Sequence, residues 1–274
     1  MIMIHPKKSM PKIIVIGGGA TGCGVARDLV LRGYQTILIE SGNLGSGTSS
    51  RSHGMLQSGA RYAVTETSFA AECYQERNVI SKIFPKAVKL IGGFFVSLPN
   101  DPEDYPDKLL KCCQIAKIPI EEIKIQEVLK NEKELNKNIL RAFHVPDAIV
   151  HPPNLFELYS KEIISNGGKI LTNHKVVSIK KNKDEANTIV VDNNGIKSII
   201  ECDGIINAAG PWSREIAKLI NQNVELQLTR GCGIFFSGKL VNKAVNRCRT
   251  PNNNDIMCPS EKESLWGTTS NVVY

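Results

Sequence analysis

The sequence predicts an α/β protein made of two interleaved domains, and three observations predict it. A short apolar run, KIIVIG (12–17), is followed by a glycine turn, a helical pattern and a second apolar run ending in an acid, which is the order of a βαβ unit. Alternating helix and strand patterns of the same kind return after His151. Between these stretches, residues 93–149 carry a different mixture of strand-like runs and charged helices. The expected division is a dinucleotide-binding domain from 1–92 and 150–222, with a second, mixed-sheet domain from 93–149 and 223–274.

Each element has a local cause. KIIVIG is short, β-branched and apolar on both faces, as a strand in a parallel sheet must be. Gly17, Gly19 and Gly22 then stand at G-x-G-x-x-G spacing, and Val25, Ala26, Leu29 and Val30 recur at helical intervals until Gly33 stops the helix. YQTILIE (34–40) is the second strand. In this Rossmann-like reading Gly17 makes the tight turn, Gly19 admits a pyrophosphate to the backbone, Gly22 lets helix and strand pack, and Glu40 accepts from ribose hydroxyls.

A long polar run, TSSRSHGMLQSGARYAV (48–64), follows. A polar segment straight after the second strand suits a cofactor that extends past the strand ends, and FAD fits that better than NAD. Further on the sequence predicts a helix over 69–84, a strand at GGFFVSLP, a capped helix at DPEDYPDKLLKCCQIAKI and a charged helix at EEIKIQEVLKNEKEL. Two short strands follow about a turn at Pro146 and Asp147. PPNLFELYSKEIISNGG has proline at a helix start and glycines at its end. KILTNHKVVSIKK reads as a strand pair, and residues 184–210 as an Asn-Gly hairpin with a return strand; together these are expected to rebuild the first domain's sheet. ELQLTRGCGIFF then crosses back into the second domain.

Composition narrows the function. With 42% apolar and 22% charged residues the chain is of ordinary globular composition. No apolar run approaches the ~18 residues of a spanning helix, and MIMIHPKKSM is too short for a secretory signal, so a cytoplasmic location is expected. The eight cysteines lack a C-x-x-C, which supports neither a disulfide framework nor a metal site. The net charge of +7 is spread as single lysines and only 6% of residues are aromatic, so nucleic acid is not an expected partner. A mildly basic surface favours an anionic small substrate or an acidic bilayer face.

The runs GGGATGCGVARDLVLRG, GTSSRSHGMLQSGARYAV, NAAGPWS (207–213), NRCRTP and GTTS resemble, in order and over essentially the whole chain, the FAD-dependent glycerol-3-phosphate dehydrogenases. The likeness is nearest to the catalytic A subunits of their anaerobic, quinone-linked branch, within the wider D-amino-acid-oxidase-like group. The resemblance implies FAD as cofactor and oxidation of sn-glycerol 3-phosphate to dihydroxyacetone phosphate. Partner subunits would deliver electrons to a membrane quinone, so peripheral contact with the inner face of the membrane is implied through them.

Cofactor contacts are expected at Gly17, Gly18, Gly19, Ala20, Thr21, Gly22, Glu40, Ser41, Thr48, Ser49, Ser50, Arg51, His53 and Gly54, and by resemblance at Val176, Ala209, Gly210 and Trp212. Thr48 to Gly54 would run along the FAD diphosphate. Arg61 is the first choice for the substrate phosphate because a guanidinium offers a fixed fork to phosphate oxygens, with Arg249 and Arg247 next. His53 is the expected catalytic or flavin-contacting histidine, since relatives commonly carry a histidine where Gln57 stands. Relatives also continue past the GTTS motif, so the chain is expected to be a fragment or a truncation. The alternatives are a flavoprotein of the same fold acting on a 2-hydroxy acid or an amine, and a non-catalytic flavin-binding remnant.

Overall fold

The computed structural model of the chain describes residues 10–182, 186–252, 255–260 and 262–273. Among them no helix is long and apolar enough to cross a membrane. The chain forms two compact units, Met1–Arg51 with Pro152–Leu226, and Ser52–His151 with Gln227–Tyr274.

The first unit begins with strand β1 (Lys12–Ile16), helix α1 (Ala20–Leu31) and strand β2 (Gln35–Ile39). β1 pairs in parallel with β2 on one side and with Gly204–Asn207 on the other, and β2 pairs in parallel with Lys169–Leu171. Ile14, Val15, Leu38 and Ile39 are almost wholly buried, which explains why these strands read as continuous apolar runs. α1 ends through Gly33 at φ +86°, and the helix Pro152–Ser165 ends through Gly167 at φ +85°, the left-handed conformation glycine adopts without strain.

The strands 175–202 do not extend that parallel sheet. Lys175–Lys180, Asn187–Asn193 and Ile196–Cys202 form their own antiparallel three-stranded sheet, with the Asn-Gly turn at Asn194–Gly195. The expectation of one rebuilt sheet is corrected here. The reason is alternation: Val176, Ile179, Ile189, Val191 and Cys202 bury one face against Ile14, Ile16 and Ile39, while the other face stays wet. Only Lys169–Leu171 and Gly204–Asn207 join the parallel sheet.

The second unit is built on a seven-stranded sheet. Its spatial order is Ile234–Ser237, Glu263–Trp266, Ile256–Pro259, Ala244–Arg247, Gly93–Ser97, Arg141–Val145 and Glu121–Glu122, with one parallel pair, Ala244–Arg247 beside Gly93–Ser97. Gly93–Ser97 is buried throughout, and Phe95 and Phe143 anchor a core shared with the helix Tyr105–Ile115. The charged helix expected over 121–135 spans only Ile125–Asn131, because Glu121–Glu122 is drawn into the sheet edge opposite His144 and Phe143. The helix expected to be capped before Tyr105 has no side-chain cap; Asp101 instead accepts from the Leu98 amide at 2.9 Å.

The division also falls elsewhere than at 92. Met55–Leu56 and Val88–Leu90 both pair with Ala148–Val150, and Gly59 lies so close to the Ala70 carbonyl that a Cβ would overlap it. Residues 52–92, including the helix Thr67–Ile83, are thereby tied into the second unit.

Candidate functional site: a dinucleotide groove and a charged loop

The first unit holds a cavity of about 1030 Å³ beside the β1–α1 turn. Its floor is the glycine cradle. A Cβ on Gly22 would overlap the Gly17 carbonyl oxygen, and one on Gly17, at φ +110°, would overlap that of Ala208. The amides of the first turn of α1 point out of the helix end, where an anion is stabilised by the aligned backbone dipoles. Ser49 Oγ accepts from the Ala20 amide at 3.0 Å, which shows that an oxygen fits at this helix end.

Glu40 works here as a brace. Its carboxylate accepts from the amides of Gly18 (2.7 Å) and Gly42 (2.8 Å) and from the Ser41 hydroxyl (3.0 Å), so it fixes the loop that rims the cavity. Across from it, Asn207 folds the NAAGPW turn: its Oδ1 accepts from the Ala209 amide at 3.2 Å and its Nδ2 donates to the Ser213 carbonyl at 2.8 Å.

Of the sequence-predicted cofactor residues, Gly17, Gly19, Ala20, Thr21, Glu40 and Ser41 line this cavity, as do Thr48, Ser49 and Arg51. Val176, Ala209, Gly210 and Trp212 line it as well. Trp212 is 51% exposed, so it is a wall of the groove and not a core tryptophan. Gly18 and Gly22 support the floor without lining it, and Ser50 is not among the lining residues. His53 and Gly54 belong to the second unit. Sequence reasoning missed Ser46, His174, Lys175 and Glu215, which line the cavity from loops, a strand end and the helix Ser213–Lys218 with no motif spacing to mark them.

The second unit carries the charged loop. Gly59, at φ +89°, turns the chain into a short 3-10 helix, Ala60–Tyr62, which presents Arg61. Arg61 donates from Nη1 to Asn246 Oδ1 at 3.1 Å and from Nη2 to the Asn252 carbonyl at 3.2 Å. Arg247 and Arg249 differ in kind. Arg247 is held bidentately by Asp101 at 3.0 and 2.6 Å, and Arg249 by Asp255, both carboxylates almost fully buried. Their charges are matched internally, whereas the partners of Arg61 among the described residues are neutral.

His53 is half-buried, and burial followed by the positive charge of Arg61 holds its ring below the usual imidazole range. Its Nδ1 lies 3.0 Å from the Met55 amide, so Nδ1 is the acceptor and the hydrogen of the neutral ring sits on Nε2. The loop also contains Gln57, whose buried Oε1 has no partner among the described residues. Each of the eight cysteines is a free thiol, and burial pushes those of Cys23, Cys113, Cys248 and Cys258 up to about 12.

A parallel βαβ unit with a glycine cradle, a helix N-terminus facing a long groove and an acid-braced rim defines a dinucleotide-binding protein. The chain belongs to the DAO family of FAD-dependent oxidoreductases, whose model matches residues 12–273. Among curated proteins it is 35% identical to the A1 subunit of the anaerobic glycerol-3-phosphate dehydrogenase of Haloferax volcanii, over 97% of this chain and 47% of that protein. It is 34% identical to the corresponding subunit of the anaerobic glycerol-3-phosphate dehydrogenase of Escherichia coli K12, over 94% of this chain and 48% of that protein. The chain thus spans about half the length of the curated relatives it matches. The fold is shared with the L-alpha-glycerophosphate oxidase of Mycoplasma pneumoniae solved with FAD bound, at a TM-score of 0.80 and 20% identity, over 97% of this chain and 72% of that one.

FAD is the cofactor of this family, and the groove fits it: the glycines remove the side chains that would fill the diphosphate position, and the volume admits a dinucleotide's adenosine arm.

Proposed function

We propose that this chain oxidises sn-glycerol 3-phosphate to dihydroxyacetone phosphate, with FAD as the hydride acceptor and with electrons passed on to a quinone through partner subunits. The observation that carries the reading is Arg61, a guanidinium held, among the described residues, by neutral oxygens and therefore able to receive a substrate dianion. The names of the relatives at 34–35% identity support it.

FAD, when bound, accepts the hydride that leaves carbon 2 of the substrate. The hydroxyl proton released with it passes to solvent water, and the residues of the chain bind and orient the two reactants. The β1–α1 turn, with Ser49 and Arg51, holds the dinucleotide end, and Trp212 covers it. Arg61 binds the phosphate and so anchors that end of the substrate. His53, neutral and with its hydrogen on Nε2, offers a hydrogen-bond donor and not a basic nitrogen. Arg247 and Arg249, paired with Asp101 and Asp255, brace the segment that supplies Asn246 and Asn252.

Anaerobic mixing of the yellow protein with glycerol 3-phosphate tests the reading. Bleaching of the flavin band is expected with glycerol 3-phosphate, and not with 2-hydroxyglutarate, glycine or proline. Bleaching by one of the others alone would reassign the substrate, and a colourless protein that takes up no FAD would remove the activity.

A further inference from the structure

The strand Ala244–Arg247 lies in the middle of the seven-stranded sheet, paired with Gly93–Ser97 on one side and Ile256–Pro259 on the other. Asn246 stands in register with Phe95 and Ile256, both buried, and is itself only 2% exposed. Asparagine is a poor strand residue, and a buried amide is retained only where hydrogen bonds repay its lost hydration. Here the side-chain oxygen accepts from Arg61 Nη1 at 3.1 Å. One residue on, Arg247 is served by an aspartate, and so is Arg249. The protein thus matches two neighbouring arginines with carboxylates and gives the third an amide.

We propose that Asn246 is the positioning residue for Arg61, and that its neutrality is the point: it aims the guanidinium while leaving the positive charge for the substrate anion. A carboxylate of the same shape would hold Arg61 as well or better, and would cancel the charge the anion needs. This rests on the reading of Arg61 as the phosphate receptor.

The test is N246D, with N246A beside it and R61A as the reference for lost binding, all in the flavin-loaded protein. Two quantities are read: KM and kcat for glycerol 3-phosphate in anaerobic dye reduction, and the rise in Tm produced by inorganic phosphate. N246D is expected to raise KM about 10- to 100-fold with kcat within about threefold, and to lose the phosphate-dependent rise in Tm. N246A, which removes the acceptor without adding charge, is expected to raise KM about 3- to 10-fold. A residue that merely fills space would change overall Tm and leave KM and the phosphate response alone. A folded, yellow N246D with wild-type KM and phosphate response overturns the proposal; if N246D does not fold, the same result from N246A does so. A wild type that phosphate does not stabilise also overturns it. A wild type that phosphate stabilises but glycerol 3-phosphate does not reduce overturns the substrate reading alone, and the phosphate arm then decides the role of Asn246.

Discussion

Arg61 and Arg249 lie in the same unit and carry the same charge, yet their surroundings give them opposite consequences. R61A should raise KM for glycerol 3-phosphate about 100-fold while leaving flavin content unchanged, because a charge-assisted bidentate contact is lost; the only buried group it leaves short of a bond among the described residues is the neutral Asn246 amide oxygen, at a cost of about 1–3 kcal/mol in stability. R249A should act on stability first. It strands Asp255, whose side chain is 1% exposed, and is expected to cost about 2–4 kcal/mol, read as a lowered urea midpoint with an unchanged slope. His53 offers a pH test with a defined sign. Its folded pKa lies below its ordinary value of 6.5, so the unfolded chain binds the extra proton and stability falls as pH drops through about 6.5. H53Q keeps an acceptor for the Met55 amide but cannot titrate. The difference in stability between wild type and H53Q should therefore be flat above pH 7 and turn against the wild type as pH falls from 6.5 to 5.5, measured by paired urea melts.

At the scale of elements, the β1–α1–β2 unit was legible because its signals are local. Buried strands of five residues, three glycines and a terminal acid all lie within about thirty positions, and the structure puts the glycine turn where the spacing did. The prediction that belongs here is G22A. Its Cβ would meet the Gly17 carbonyl, forcing α1 away from β1, so the protein should purify with little flavin and a lowered Tm, as the ratio of flavin to protein absorbance will show. What was not legible depended on distant partners. Ser58 finds Asp147 across 89 positions and Arg61 finds Asn246 across 185, so no spacing rule could mark Asp147 or Asn246 as part of the loop's support. The same holds for the separate antiparallel sheet. Its strands alternate as strands should, but which sheet a strand joins is decided by the face it buries against Ile14, Ile16 and Ile39. His174 and Lys175 reach the groove only because β2 and Lys169–Leu171 bring that strand end there.

Over the whole molecule, the two tryptophans divide between the two units, Trp212 in the first and Trp266 in the second. This gives each unit its own reporter. Trp212 is 51% exposed on the wall of the groove, with its ring against Gly47, whereas Trp266 sits on a strand of the seven-stranded sheet beside Phe236. An indole half in water emits at longer wavelength than one that is covered. FAD entering the groove should cover Trp212, so the W266F protein, with Trp212 alone, should shift its emission to shorter wavelength as the apoprotein is titrated with FAD. The W212F protein should show no such shift, even where its intensity falls by energy transfer to the flavin, because a wavelength shift reports local solvation and not distance. A shift confined to W212F would place the adenosine arm outside the groove of the first unit and would move the cofactor contacts assigned to Thr48, Ser49, Arg51 and Val176 away from these residues.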